Sequence, residues 1–126
     1  MNAAYAVAWL IAAALVAVGL YALLAPHPLA RRYGVHINDE AAAGFVRATG
    51  VRDVALGSAL GAAAYFRAVP LLVVIAGAGI VVSIADFLIA YHHGREKRFH
   101  AAHGIHAAGI VAFALAIAMA LFAIGK

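Results

Sequence analysis

A chain of 126 residues that is 67% hydrophobic and 11% charged does not suit a soluble domain, which carries about 25% charged residues. Its mean hydropathy is +1.01, and the lack of cysteine excludes disulfides, thiolate metal ligands and cysteine nucleophiles. The formal charge of +4 gathers at the ends of apolar runs rather than in a basic stripe with stacking aromatics, so it reports membrane topology and no nucleic-acid partner is expected.

About 20 apolar residues suffice to cross a bilayer, and four stretches reach that length. The first covers about 3–25 and stops at Pro26-His27-Pro28, because proline cannot continue a helix. Its leading residues, Met1-Asn2-Ala3-Ala4-Tyr5, lack the Lys or Arg of a cleavable signal peptide, which predicts a retained helix. A polar connection from Leu29 to Asn38 holds Arg31, Arg32, Tyr33 and His36. The second helix is predicted over 39–66, with Asn38 or Asp39 as its cap and Asp39 and Glu40 at its positive end. It exceeds what a bilayer core needs, so its first turns belong to the headgroup region. A tight turn at Arg67-Ala68-Val69 leads to Pro70, which suits a first helical turn. The third helix runs over 70–92 with Gly94 as its stop, and the charged segment Arg95-Glu96-Lys97-Arg98 precedes a fourth over 99–124. The expected fold is all-α: a single transmembrane domain over 1–126, a four-transmembrane-helix bundle with short loops.

Arg31, Arg32, Arg95, Lys97 and Arg98 fall in the first and third connections, on one side of such a bundle, against Arg67 and Lys126 on the other. The positive-inside rule then places those connections in the cytoplasm and both termini outside, as in a bacterial inner-membrane protein. Tyr21, Tyr65 and Tyr91 lie near span ends as interface anchors, and Gly77 and Gly79 read as packing positions.

Asp53 and Asp86 interrupt apolar stretches, and His100, His103 and His106 punctuate the start of the last one. Ionisable groups in hydrocarbon face a bundle interior, a partner or a water-filled cavity. At about 100° per residue, Gly50, Asp53, Gly57 and Gly61 share one face of the second helix. Arg47 stands at the edge of that face, while Arg52 points away from it. Gly79, Ser83, Asp86, Ala90 and His93 share a face of the third. Small residues at this spacing let helices approach closely in lipid. The helices alternate in direction, so Asp53, Asp86 and the histidines reach one level, nearer the cytoplasm, in a polar pocket.

Taken singly, each of these groups has the plainer reading of a hydrogen bond that locks two helices. Taken together they exceed what packing requires. The expected function is binding of a small lipophilic molecule with proton-transfer chemistry of the isomerase or cyclase type. Asp53 and Asp86 are the acid/base candidates, His103 or His106 the proton partner, and Arg47, Arg52 and Ser83 the substrate-binding candidates. The alternative is a non-enzymatic accessory or structural subunit of a larger membrane complex. A third reading is a small proton-coupled transporter, which at this size needs a homodimer; its first helix has no carboxylate. A metal site is disfavoured, because histidines at i, i+3 and i+6 sweep about 120° around a helix and no Glu-x-x-His pair occurs. The pattern names no cofactor, and the bilayer is the one certain partner.

The segment Gly50-Val51-Arg52-Asp53-Val54-Ala55-Leu56-Gly57, then Asp86, His93-Gly94 and His103-Gly104, resembles the four-helix membrane family catalogued as domain of unknown function 4267. The resemblance runs from the first helix to the last, and the Gly-Val-Arg-Asp segment is its most specific part. It implies a four-span fold and marks Arg52, Asp53, Asp86 and His103 as motif positions. It implies no reaction.

Overall fold

The computed structural model describes residues 3–33, 37–93 and 101–124. Among these, five helices and no strand are found: α1 (Ala3–Leu24), α2 (Pro26–Arg32), α3 (Glu40–Tyr65), α4 (Val69–His93) and α5 (Ala101–Ile124). The expected Gly94 stop, the charged run from Arg95 to Arg98, and His36 and His100 lie outside the described residues. Three helices are long and apolar enough to cross a membrane: α1, Val69–His92 of α4 and His103–Ala123 of α5. α3 has 26 residues but carries Arg47, Arg52 and Asp53 among its glycines and alanines. The expected count of four spans is therefore not reached on length and composition.

α2 replaces part of the expected polar connection. Ala25 leaves helical geometry at φ −139°, as a residue before proline tends to. Pro26 and Pro28 then stand in the first turn of a new helix, where a missing N–H leaves nothing unpaired. The same prolines that end α1 thus begin α2. Its Pro26, Leu29 and Ala30 are buried, Arg31 and Arg32 are exposed, and the Arg32 guanidinium lies 6.0 Å from the centre of the Tyr21 ring.

Asp39, rather than Asn38, caps α3: its side chain accepts from the Ala42 N–H at 2.7 Å. At the far end Arg67 adopts φ 54°, the left-handed position that glycine usually fills. The Arg67 N–H donates to Ala64 O at 3.2 Å and the Ala68 N–H to Ala63 O at 2.9 Å, which satisfies the last carbonyls of α3 and turns the chain into α4. Tyr5 at the start of α1 donates to Arg67 O at 3.4 Å, pinning α1 to this turn.

The long helices form two intimate pairs, α1 with α3 and α4 with α5, which meet along slighter α1–α5 and α3–α4 contacts. Glycine creates the first pair. A Cβ on Gly19 would stand 2.6 Å from Gly50 O, one on Gly50 2.7 Å from Gly19 O, and one on Gly57 2.8 Å from Ala12 O. Such approach replaces the hydrophobic effect as the source of helix association where the surroundings are themselves apolar. In the second pair Gly79 receives the Phe113 ring and Gly109 lies against Ser83. Gly77 corrects its expected packing role, because nothing lies within 4 Å of a Cβ placed there. The apolar core gathers toward the α3–α4 turn, from Ala4, Ala8 and Ala12 of α1, Leu60, Ala63 and Ala64 of α3, Leu72 and Ala76 of α4, and Phe113 and Ala120 of α5.

Candidate functional site

The antiparallel registers determine what meets at the opposite end. Along α4 and α5, Gly79 meets Phe113 and Ser83 meets Gly109; the next turn brings Asp86 to His106. Along α1 and α3, the Gly57–Ala12 and Gly19–Gly50 contacts flank the level of Arg52 and Asp53. Asp86 is seven residues before His93, the end of α4, which puts this polar level roughly 10 Å inside the helix end at 1.5 Å per residue.

Arg52 is the centre of the cluster. Its Nη1 donates to Asp86 Oδ1 at 3.1 Å and its Nη2 to Asp86 Oδ2 at 2.8 Å, a two-pronged pair between α3 and α4. Its Nε and Nη2 also donate to Asp53 Oδ1, at 3.2 and 3.1 Å. The planar guanidinium fork suits this use of several donors at once. The Arg52 side chain remains 37% exposed and both aspartates 19%, so the cluster is neither dry nor fully open.

Arg52 lies away from the glycine face, as its helical phase predicts. The glycine face of α3 is its contact with α1, but α3 also touches α4. Arg52 lies away from the first neighbour and reaches the second. Arg47, the other arginine among the substrate-binding candidates, does not join it: its Nη1 pairs with Glu40 Oε2 at 3.3 Å on an exposed stretch. Ser83 is buried against Gly109 in the α4–α5 contact, one turn from Asp86, rather than in the cluster.

The histidines separate. His106 Nδ1 stands 4.0 Å from Asp86 Oδ2, too far for a hydrogen bond but within ion-pair range when the ring is protonated. His103 is buried, with its ring edge-to-face against Phe87 at 5.3 Å and Tyr91 at 6.2 Å. The structure thus brings Arg52, Asp53, Asp86 and His106 together, with His103 packed one turn along α5. Among the described residues no group of three or more His, Asp or Glu is placed to hold a metal ion.

Tyr33, which follows α2, is a further neighbour. Burial, and then the charge of Asp53, push its phenol above the ordinary value, against a smaller opposing effect of Arg32. Residue spacing alone does not reveal it, because the polar connection gives no sign of a helix of its own; the Pro26-His27-Pro28 start of α2 is the signal.

The cluster's chemistry is acid–base and ionic. Two carboxylates share one cation and an imidazole waits beside one of them. Asp53 Oδ2 accepts no hydrogen bond among the described residues, whereas Oδ1 accepts two. The free oxygen is an open acceptor for a group arriving from outside.

The family model for a domain of unknown function (DUF4267) matches residues 12–121, a range that includes the whole cluster, and the chain belongs to that family. No curated protein and no solved structure matches the chain significantly.

Proposed function

We propose that this protein is a four-span membrane protein whose Arg52–Asp53–Asp86–His106 cluster binds the polar end of a small lipophilic molecule and exchanges a proton with it. α3 is the fourth span: it pairs with α1, which is itself apolar enough to span, and of its charges Arg52 turns to Asp86 with Asp53 beside it, while Arg47 and Glu40 pair near its exposed start. The basic connections face the cytoplasm under the positive-inside rule, and the cluster lies nearer that face. The apolar core around Leu60, Leu72 and Phe113 closes the other end.

The observation that carries the reading is the open oxygen of Asp53 within a cluster still partly exposed. In a proton-transfer reaction of the isomerase type, Asp53 Oδ2 takes a proton from one position of the ligand, and that carboxylic acid or His106 returns a proton at another. Electrons and atoms balance without an oxidant. Arg52 holds both carboxylates in place and Asp86 orients His106.

The test is the small-molecule content of protein purified from native membranes, measured by mass spectrometry for wild type, Asp53→Asn and Asp86→Asn. The wild type retains an amphiphile that both folded variants lose. Equal content in all three, including none in any, contradicts the reading.

One observation favours a second reading. Arg52 joins α3 to α4 where their direct contact is slight, which is what a structural lock in an accessory subunit would do. In that case large partner subunits co-purify with the protein and the two variants release them.

A further inference from the structure

We infer that the molecule accepted by this cluster presents a cationic head: a lipophilic amine, bound as its ammonium ion. The inference rests on the proposed ligand site and names its substrate class.

The first support is the charge balance. Arg52 faces two carboxylates, Asp53 and Asp86, so the three groups sum to one negative charge. His103 and Tyr33, which lie within electrostatic reach of members of the cluster, add no carboxylate. An unbalanced charge between helices is costly unless it is paired. A proton on His106, 4.0 Å from Asp86, would supply the missing charge, and an arriving ammonium ion supplies the same charge in its place.

The second support is the hydrogen-bond inventory, which is independent of the charge count. Arg52 has five N–H donors, and four hydrogen bonds already run from them to the aspartates. One N–H on Nη1 remains. The acceptors are in surplus: an ionised carboxylate offers about four lone-pair sites, and Asp53 Oδ2 has none engaged among the described residues. The site therefore seeks a donor-rich head. An ammonium group brings donors and positive charge together. A carboxylate or phosphate head would find one free N–H, would have to displace Asp86 from its two-pronged pair, and would double the negative charge. A hydroxyl head satisfies the oxygen and leaves the charge unbalanced.

The body of the ligand follows from the residues next to the cluster in sequence, some of them exposed on the bundle's apolar surface. Val51 and Val54 on α3, Ala85 and Phe87 on α4, and Ile105 and Ala107 on α5 are apolar. A hydrocarbon tail is the matching companion to the head.

The experiment uses the full chain in nanodiscs of zwitterionic lipid, with empty nanodiscs as the baseline for partitioning. Decylammonium, decanol and decanoate share one tail and differ in the head. Decylammonium binds the wild type saturably and about tenfold more tightly than the other two. Asp53→Asn weakens it by a similar factor, and Asp53→Glu, which keeps the charge, restores most of it. Decanol or decanoate binding as tightly, with the same dependence on Asp53, overturns the cationic head and leaves the ligand site standing. No saturable binding of any probe to the wild type overturns both. The ranking on wild type alone decides the head group if Asp53→Asn fails to fold.

Discussion

The two ends of this bundle are held together by different forces. Toward the α3–α4 turn, Leu60 and Leu72 are fully buried among alanines from α1, α3 and α4, and the contact depends on shape. At the other end the two helix pairs meet through the Arg52 guanidinium, with Asp53 and Asp86 about it and 37% of the arginine still exposed. A packed end tolerates no added volume and offers no chemistry. A charged end tolerates solvent, because its attraction acts across a small gap, and it can exchange one partner for another. The packed end therefore supplies rigidity and the polar end the candidate site, and the division follows from antiparallel registers that send Arg52, Asp53, Asp86 and His106 to one level.

The largest expected effect is at the packed surface. Gly57→Leu would push its Cβ into Ala12 O, 2.8 Å away, and into Leu15 and Val16. It lowers stability by about 3 kcal/mol in reversible unfolding from bicelles. Gly77→Leu, where nothing lies within 4 Å, serves as the control and leaves stability within about 0.5 kcal/mol. Equal effects would show that close α1–α3 approach does not hold the bundle. The smallest effect is expected outside both ends. The Arg47–Glu40 pair is exposed, so Arg47→Ala changes stability by less than about 0.5 kcal/mol in the same assay. A larger loss would place Arg47 in the polar network after all.

Much of this contrast is legible in the sequence, and its gaps have physical causes. Gly50, Gly57 and Gly61 at helical spacing announce a close-packed face, and that face does meet α1, through Gly19, Ala12 and Trp9. The level shared by Asp53 and Asp86 follows from alternating helix directions. The pairing of Arg52 with Asp86 is not legible, because phase locates a side chain relative to one neighbour, whereas α3 has two, and a guanidinium on a long stem reaches well beyond its Cα direction. His103 and His106 look equivalent at i, i+3, yet the first packs between Phe87 and Tyr91 and the second faces Asp86. Composition cannot separate them, because the difference is about 60° of rotation. Tyr33 depends on α2, whose prolines serve both as a stop and as a start.

The central claim is that Arg52 and Asp86 act on each other across the α3–α4 boundary. A double-mutant cycle in bilayers tests it most directly, with Arg52→Met, Asp86→Leu and both together. Arg52→Met leaves Asp53 and Asp86 without their cation, whereas Asp86→Leu leaves Arg52 with Asp53; the account predicts that the double variant is more stable than the sum of the singles implies, by about 1–2 kcal/mol. Strict additivity would contradict it.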